Sequence, residues 1–452
     1  MSLSQPRIAI VGGGPAGLTV GLLLHKRGVP FTIFELRQKP TNEELAKPSG
    51  MLDLHEESGI AALKECGLFD EFLKLTGECT EAQKVLDKDG TILYTDEGEL
   101  SNRPEISRYA LTELLISHIP ADKIKWDHKL LSAKFSTNAS NNTTEVELDF
   151  GPQNGGKQIF DLVIGADGSW SKVRSLLTPT KPHYAGTQNL TLTIREITTK
   201  YPHLAELVGT GSFSALGTRH GVMSQRGPQD SARIYVLLTT NDEHFAATAG
   251  LAISSDTSSA TTGGQAPTNP VTPTVTATAV AAKEYILGDA ALLGTWGPAL
   301  KDLVTVACAE DAADHNAGAP ADIRPLYMLP VGHAWEHKAG ATIIGDAAHL
   351  MCPWAGEGVN LAMWDSLLLA HAIIEAYEGE GGTAAGAGEN GRKDATGFQE
   401  AVSPLIREFE VGMVARAREK AEETVVNGRM MFGENGAQAL ADFFLSFSPP
   451  PE

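Results

Sequence analysis

The fold is decided by the N-terminal segment Arg7-Ile8-Ala9-Ile10-Val11-Gly12-Gly13-Gly14-Pro15-Ala16-Gly17. It begins as a β-branched apolar run, which is typical of a buried strand, and continues into a Gly-rich turn. An apolar helical pattern follows over residues 18–26, and a second apolar run over residues 31–34 ends at Glu35. Strand, glycines, helix, strand and terminal acid in this order predict the βαβ unit that binds the ADP part of a dinucleotide.

Each glycine of this segment has a predicted physical role. Gly12 allows the tight turn, Gly14 lets the backbone approach a pyrophosphate, and Gly17 allows close packing of helix against strand. The carboxylate of Glu35, at the end of the second strand, is placed to accept hydrogen bonds from ribose hydroxyls. The alternative is a Gly-rich turn with only a structural use. It would require the strand, the glycines, the helix, the second strand and the terminal acid to occur together by chance.

Length and composition limit the class of protein. The 452 residues are enough for two domains, and a chain with 42% hydrophobic and 20% charged residues is an ordinary globular one. The 36 basic and 56 acidic residues give a formal net charge of −20, which argues against binding to nucleic acid or to an anionic membrane. We therefore expect no nucleic-acid partner. We also expect a small-molecule partner and a monomer, with an oligomer as the open alternative.

The cysteines and the apolar runs bear on the compartment. Cys66, Cys79, Cys308 and Cys352 are scattered, without a CxxC motif or histidines at metal-ligand spacing, so neither disulfides nor a metal site are expected. No signal peptide is recognisable before the first strand, and no apolar run approaches the roughly 20 residues that span a bilayer. These features predict a cytoplasmic protein without a membrane span.

Two later segments repeat the pattern of an apolar strand that runs into a polar turn. The first is Asp161-Leu162-Val163-Ile164-Gly165-Ala166-Asp167-Gly168-Ser169. The second is a strand pattern over residues 341–344, followed by Gly345-Asp346-Ala347-Ala348-His349-Leu350-Met351-Cys352-Pro353-Trp354-Ala355-Gly356-Glu357-Gly358-Val359-Asn360 and a helical pattern. A helix start presents unpaired N–H groups and a partial positive charge, which suit an anion or an electron-rich ring edge. The carboxylate of Asp346 can accept hydrogen bonds from ligand hydroxyls.

In this order and spacing, the three motifs resemble those of the class A flavoprotein monooxygenases, which have the p-hydroxybenzoate hydroxylase-like fold. Two further segments are similar to those of the tetracycline-inactivating monooxygenases of that family: Ser49-Gly50-Met51-Leu52-Asp53-Leu54-His55 and Arg103-Pro104-Glu105-Ile106-Ser107-Arg108. The resemblance covers most of residues 5–240 and 285–435. It implies an α/β fold with a Rossmann-like FAD-binding domain, an antiparallel β-sheet substrate domain and a long C-terminal bridging helix.

The resemblance also implies the chemistry. FAD would be the cofactor, NAD(P)H the electron donor and O₂ the oxidant. One oxygen atom would reach an electron-rich aromatic, enolic or polycyclic small molecule through a flavin C4a-hydroperoxide, in secondary metabolism or drug inactivation. No second GxGxxG motif is present, so NAD(P)H is expected to bind transiently. Because the hard chemistry belongs to the cofactor, no side chain is identified as catalytic.

Individual residues are carried over from the family motifs. Glu35 would bind the adenosine ribose, and Asp346 would hold the ribityl–pyrophosphate region. Asp167 matches the family's residue near the nicotinamide and flavin-motion site. The predicted cofactor-binding residues are Gly12, Gly14, Gly17, Glu35, Asp53, Arg108, Asp167, Asp346, Pro353, Gly356, Gly358, Val359 and Asn360, of which the last five would line the isoalloxazine.

Structural alternatives stay open for several of these residues. Arg108 precedes an amphipathic helix and could be a surface charge, and Asp53 could be a turn or capping aspartate. Asp167 could cap the helix that begins near Ser171. Trp354 is predicted at the substrate face of the flavin, with a plain core aromatic as the alternative.

The second domain is predicted from a change of pattern between about residues 178 and 322. Alternating runs such as residues 190–194 and 233–238 are typical of an antiparallel sheet. Thr191, Arg219 and His220 are the candidate substrate residues, although each could equally be an ordinary polar group. The predicted boundaries are 1–177 and 323–378 for the FAD-binding domain, 178–322 for the substrate domain and 398–435 for the bridging helix.

Two segments, residues 254–278 and 379–397, have compositions that are too polar or too rich in small residues to pack a core. The first is rich in Ser, Thr, Ala, Gly and Pro, and the second in Gly and Ala. We predict mobile surface loops at both, the first being an insertion in the substrate domain.

Two positions depart from the family pattern. Ala46 stands where many relatives carry an arginine for NADPH or flavin contact, so the choice between NADPH and NADH stays open. Glu357 stands where relatives often have a glutamine, and its charge could alter the redox behaviour of the flavin or simply face solvent.

The rival functions are a flavin dehydrogenase or oxidase of the same fold and a non-catalytic flavin-binding protein. Halogenation is disfavoured because the Trp-x-Trp-x-Ile-Pro motif is absent.

Overall fold

The computed structural model describes residues 5–76, 79–98, 104–138, 143–249, 277–314, 320–379 and 395–447. Most of the two segments predicted to be mobile loops, and Arg103, lie outside these ranges. The chain divides into two compact units. The first unit consists of Met1–Gly77, Asn102–His183 and Tyr327–Asn427, and the second of Glu78–Ser101, Tyr184–Leu326 and Gly428–Glu452.

Within the described residues the strands form sheets of five, three, eight and two strands. The strands are β1 (Ile8–Val11), β2 (Thr32–Phe34), β3 (Met51–Asp53), β4 (Gln83–Asp87), β5 (Ile92–Asp96), β6 (Glu105–Ser107), β7 (Ile124–Lys125), β8 (Ser132–Thr137), β9 (Thr144–Asp149), β10 (Lys157–Phe160), β11 (Leu162–Gly165), β12 (His183–Ile194), β13 (Ser212–Gly217), β14 (His220–Gly227), β15 (Ser231–Thr239), β16 (Ala277–Thr278), β17 (Pro320–Met328) and β18 (Ala341–Ile343).

The helices include two long ones near the C-terminus. The α-helices are α1 (Pro15–Lys26), α2 (Asn42–Leu45), α3 (Gly59–Glu65), α4 (Phe69–Leu73), α5 (Arg108–Ser117), α6 (Arg174–Leu177), α7 (Ile197–Lys200), α8 (Pro202–Val208), α9 (Phe245–Thr248), α10 (Ala279–Gly288), α11 (Pro298–Asp314), α12 (Asp346–His349), α13 (Gly358–Glu378), α14 (Ala395–Met431) and α15 (Gly436–Leu445). Short 3₁₀ turns occupy Ala121–Lys123, Pro152–Asn154 and Pro353–Ala355.

The core of the first unit is a parallel sheet with the strand order β18-β11-β1-β2-β7. All four residues of β1 and of β11 are buried, as expected for strands covered by helices on both faces. Helix α13 packs against α1, and the Ser366 hydroxyl donates to the carbonyl oxygen of Ala16 at 2.9 Å. The apolar residues of these elements form one hydrophobic cluster, which holds the strand ends in a fixed register.

Helix α13 is long and apolar enough to cross a bilayer, and is the one such helix in the described part of the chain. In the structure 67% of its most apolar window is buried inside the protein. Its apolar residues, among them Met363, Leu369 and Ile373, belong to the core of the first unit. This burial is what a core helix of a folded unit shows.

The second unit is built on a sheet with the order β16-β17-β12-β15-β14-β13-β4-β5. The pairs among β12, β13, β14 and β15 are antiparallel, and alternate residues such as Leu192, Ile234 and Val222 are fully buried on one face. The hairpin of β4 and β5 extends this sheet, with β4 parallel to β13. The hairpin comes from residues that lie early in the chain, and no local sequence pattern indicates this long-range pairing.

Helix α14 is 37 residues long and contains Pro404. It is tied to β18 by the buried carboxylate of Glu410, which accepts a hydrogen bond from the Thr342 hydroxyl at 2.8 Å. The second oxygen of Glu410 lies 2.8 Å from Nδ1 of His337.

The sheets and helices described above confirm the predicted fold class. It is an α/β fold with a Rossmann-like parallel sheet, an antiparallel sheet and a long C-terminal helix.

Candidate cofactor site

The predicted site segments of the first unit meet at one edge of the parallel sheet. Val11 is in register with Phe34 and with Gly165, and Gly165 is in register with Ile343. Because the strands are parallel, the residues that follow them come out on the same side. These are the Gly-rich turn, Glu35, Asp167 and Asp346, so residues that follow four different strands are brought together.

The three predicted glycines have different surroundings. Gly12 has a φ of +112°, and a Cβ there would lie 2.1 Å from the carbonyl oxygen of Ala166. A Cβ on Gly17 would lie 1.9 Å from the carbonyl oxygen of Gly12. A Cβ on Gly14 would meet no protein atom within 4 Å. Packing therefore explains Gly12 and Gly17, whereas Gly14 faces open space at the start of α1.

The carboxylate of Glu35 is buried and already has three protein donors. One oxygen accepts the N–H of Gly13 at 2.6 Å, and the other accepts the N–H of Arg37 at 2.9 Å and its Nε–H at 2.7 Å. Burial opposes ionisation, but the hydrogen bonds from Arg37 and Gly13 outweigh it and lower the pKa of Glu35. A carboxylate offers about four acceptor positions, so one remains for a ligand hydroxyl.

Asp346 is exposed to solvent and yet lies deep among protein atoms. Desolvation raises its pKa, and the positive charges of His349, Arg108 and Arg174 partly oppose this rise. Arg108, which is itself exposed at the start of α5, therefore lies near enough to Asp346 to act on its charge.

A buried histidine lies in the same short helix as Asp346. Nε2 of His349 lies 2.6 Å from Oδ2 of Asp365, which is also buried. Burial opposes the charge on His349, but Asp365 outweighs burial and raises the pKa of the imidazole. The His349–Asp365 pair is thus part of the surroundings of Asp346, and the sequence alone did not indicate it.

Asp167 makes local hydrogen bonds in the turn that follows β11. Its carboxylate accepts the Ser171 hydroxyl at 2.5 Å and the N–H of Lys172 at 2.7 Å. Burial raises its pKa in spite of these bonds. Next to it, the Arg174 guanidinium donates to the carbonyl oxygens of Ala347 and Ser169, which ties the Asp-Gly turn to the Asp346 turn.

The turn before α13 combines a 3₁₀ turn with a left-handed glycine. Gly356 has a φ of +69°, and a Cβ there would approach both carboxylate oxygens of Asp53 at 3.9 Å. A Cβ on Gly358 would meet nothing within 4 Å. Pro353 is exposed, whereas Val359 is half-buried. The first turn of α13, like that of α1, has no side-chain cap and opens to unfilled space.

Asn360 and Trp354 make protein contacts. The buried Asn360 amide accepts the N–H of His55 at 2.9 Å and donates to the carbonyl oxygen of Asp53 at 3.0 Å. The side chain of Asn360 therefore holds the end of β3 against the start of α13. Trp354 is half-buried, and its carbonyl oxygen accepts the Asn427 amide at 3.0 Å.

The three substrate candidates of the second unit have different environments. Arg219 is exposed in the β13–β14 turn with a φ of +70°. His220 is buried on the core side, where Nε2 lies 2.9 Å from the carbonyl oxygen of Ala291 and burial lowers its pKa. Thr191 is half-buried on the opposite, polar face of the sheet.

The polar face of this sheet contains residues that the sequence reasoning missed. Thr191 pairs with Tyr235, and Thr193 pairs with Arg233, so these side chains share one face. Arg233 donates to the Thr193 hydroxyl at 2.6 Å, while its Nε is buried without a hydrogen-bond partner. An unpartnered buried donor is costly and indicates a missing acceptor. The alternation of polar and core residues along the sequence of β15 is the signal that could have identified these residues.

The site of the first unit fits a dinucleotide. Two uncapped helix N-termini open to space at Gly14 and Gly358, and anions favour such positions. Glu35 retains an acceptor position for a ribose hydroxyl. Within the described part of the chain, no group of three or more His, Cys, Asp and Glu side chains could hold a metal ion.

Known proteins identify the class. A family profile described as "FAD binding domain" matches residues 6–249 and 335–385. The monooxygenase penA of Penicillium thymicola is 33% identical over 97% of this chain and 98% of its own length. The monooxygenase asqM of Emericella nidulans is 32% identical over the same shares of the two chains. The chain belongs to this family of FAD-dependent monooxygenases.

Solved structures show the same fold. A salicylate hydroxylase substrate complex superposes with a TM-score of 0.67 at 16% identity, covering 98% of this chain and 94% of the other. The tetracycline destructase Tet(55) superposes with a TM-score of 0.56 at 16% identity, covering 97% and 98%. Together with the family profile and the 33% identical relative, these folds confirm the resemblance to the class A flavoprotein monooxygenases.

Proposed function

We propose that the chain uses NAD(P)H and O₂ to hydroxylate an electron-rich aromatic, enolic or polycyclic small molecule. The observation that carries the proposal is the convergence of the Gly-rich turn, Glu35 and Asp346 at one sheet edge, beside two open helix N-termini. Bound FAD would accept electrons from NAD(P)H and activate O₂, and one oxygen atom would enter the substrate.

The contacts of the individual residues support the cofactor roles that we propose for them. Gly14 and the first turn of α1 would bind the pyrophosphate, because no side chain occupies that space. Glu35 would accept from the adenosine ribose with its remaining acceptor position. Asp346 would accept from the ribityl hydroxyls, since its carboxylate is exposed and follows β18 at the same sheet edge as the Gly-rich turn. Asp53 and Arg108 would make further FAD contacts.

The isoalloxazine is assigned to the turn of residues 353–360. Pro353, Gly356 and Gly358 present backbone without bulky flexible side chains, and the N–H groups at the start of α13 favour negative charge on a bound ring. Trp354 and Val359 are half-buried and suit the edge of a ring. Asp167 would act indirectly in this scheme, by holding its own turn in place.

The cofactor and reaction are tested together. The purified protein is expected to be yellow and to release FAD on denaturation. A substrate screen by NAD(P)H oxidation, coupled to mass spectrometry, is expected to find a product that carries ¹⁸O from ¹⁸O₂. Label from water alone would refute monooxygenation, oxidation without oxygen incorporation would indicate a dehydrogenase or oxidase, and a colourless protein that cannot be reconstituted would refute FAD binding.

For the substrate we propose contacts from the polar face of the β12–β15 pair, with Arg233 supplying its free N–H to an acidic hydroxyl, carbonyl or carboxylate oxygen. The matched variants are Arg233→Met, which removes the donors, and Arg418→Met, which removes an exposed arginine that pairs with Glu422 at the surface. Arg233→Met is expected to lower kcat/KM by roughly 10- to 100-fold, equivalent to a lost charge-assisted hydrogen bond of about 1.5–3 kcal/mol.

Steady-state kinetics on the substrate found in the screen measures this effect. FAD content should stay at the wild-type value in both variants. Equal kcat/KM for wild type and Arg233→Met would remove Arg233 from substrate recognition.

A further inference from the structure

One face of α14 holds the turn of residues 352–357. The residues of this face are spaced i, i+4 and i+7, so they point the same way from the helix. Their contacts are Lys420 Nζ to Glu357 Oε1 at 2.7 Å, Thr424 Oγ1 to the Cys352 carbonyl oxygen at 3.4 Å, and Asn427 Nδ2 to the Trp354 carbonyl oxygen at 3.0 Å. A helix without any nucleotide-binding motif thus supports the turn assigned to the isoalloxazine.

A row of alternating charges runs through the same turn. Nε2 of His55 lies 3.1 Å from Asp53, and Nδ1 lies 3.5 Å from Glu357. Glu357 is in turn paired with Lys420. The side chains of His55 and Glu357 are only 6% and 11% exposed, so solvent screens this pair weakly. Glu423, which lies 3.2 Å from Lys420, is nearly half exposed and is screened more strongly.

The protonation states follow from these contacts. Asp53 and Glu357 raise the pKa of His55 to about 9, so the imidazole is charged at neutral pH. Burial opposes ionisation of Glu357, but His55 and Lys420 outweigh burial and lower its pKa. The charges therefore alternate along the row, negative on Asp53 and Glu357 and positive on His55 and Lys420. The net charge of these four side chains is zero.

We propose that His55 and Lys420 are positioning residues of the FAD site, which act through Glu357 to hold the turn of residues 352–357 and to keep the charge beside it neutral. This inference rests on the proposed function, because it takes the isoalloxazine to lie against this turn. Reduction places negative charge on a flavin. A net charge on the row would therefore shift the reduction potential in the direction of its sign.

The test compares charge-changing variants at pH 6.5, well below the pKa of about 9 of His55. Asp53, the larger of the two causes of that raised pKa, is kept in every variant, so His55 is expected to stay charged. Lys420→Met leaves the row with one excess negative charge, so the flavin potential is expected to fall. Glu357→Gln leaves one excess positive charge, so the potential is expected to rise. The double variant restores neutrality and is expected to return towards wild type.

Two control variants separate an effect of charge on the flavin potential from an effect of an altered turn structure. Lys420→Arg keeps the charge and is expected to keep the potential. Arg418→Met removes a charge from the same helix, but Arg418 is 65% exposed and pairs with Glu422 at the surface, so the potential is expected to stay unchanged. Shifts of the same sign in Lys420→Met and Glu357→Gln would overturn the electrostatic role, because loosening of the turn alone gives no sign reversal.

A second readout needs no flavin. NMR titration of His55 in the apoprotein is expected to give a pKa near 9 in wild type and a lower value in Glu357→Gln. Because the folded pKa lies above the unfolded value, the stability that His55 contributes is complete below about pH 6.5 and is lost as the pH rises through about 9. An unshifted His55 would refute the inference even if FAD binds, whereas failure to bind FAD in wild type would refute the proposed function.

Discussion

A protein with Gly14→Val is expected to fold normally and to be purified without FAD. The added side chain would enter the open space at the start of α1, where a Cβ meets no protein atom within 4 Å. It would displace the group that we assign to this space, the pyrophosphate. We expect FAD affinity to fall by about 100-fold or more, or about 3 kcal/mol, as measured by fluorescence titration of the apoprotein.

Two other glycines provide the matched comparison. Gly288→Val, in the second unit, also adds a side chain to open space and is expected to leave FAD binding unchanged. Gly17→Ala places a Cβ 1.9 Å from the carbonyl oxygen of Gly12, so it is expected to lower the melting temperature of the apoprotein. Normal FAD affinity in Gly14→Val would show that the space beside Gly14 is not the pyrophosphate site.

The second large effect is expected for Asp346→Ala, which should lose FAD without losing stability. The variant lacks the carboxylate that would accept from the ribityl hydroxyls, and a loss of at least tenfold in FAD affinity is expected. The apoprotein is expected to be as stable as wild type or more so at pH 7, because the charged carboxylate is desolvated in the fold.

The pH dependence of the stability distinguishes the loss of the Asp346 carboxylate from a general destabilisation of the fold. The folded pKa of Asp346 lies above the unfolded value, so the folded protein holds this proton more tightly than the unfolded chain. Stability therefore falls as the pH rises from the unfolded pKa, near 4, through the folded pKa. In the apoprotein, thermal unfolding across this range should show a smaller decline for Asp346→Ala than for wild type. Unchanged FAD occupancy in the variant would refute the role of Asp346.

The fold and the outline of the site could be predicted because their signals are local. The glycines between β1 and α1 are demanded by local backbone geometry, as the φ of +112° at Gly12 and the close approach of Gly17 to the carbonyl oxygen of Gly12 show. The acids at strand ends follow from the same short patterns. Four of the five strands of the parallel sheet, β1, β2, β11 and β18, could thus be placed before any contact was known, whereas the short β7 was not predicted.

The side-chain partners could not be predicted in this way. The bond between Asn360 and the backbone of Asp53 and His55 joins residues about 300 positions apart. The pairing of Lys420 with Glu357 and the free Nε of Arg233 likewise depend on how elements pack. The β4–β5 hairpin joins the second sheet by a parallel pair whose strands are far apart in the chain.

The sequence by itself determined the dinucleotide-binding fold and the identity of the acids that end its strands, since turn geometry and burial patterns act over short distances. Only the tertiary structure decided which glycine faces open space, that Asp346 is both exposed and desolvated, and that Glu357 is neutralised from both sides. Those properties depend on the atoms that other segments bring near, and electrostatic and packing energies depend on distance in space rather than along the chain.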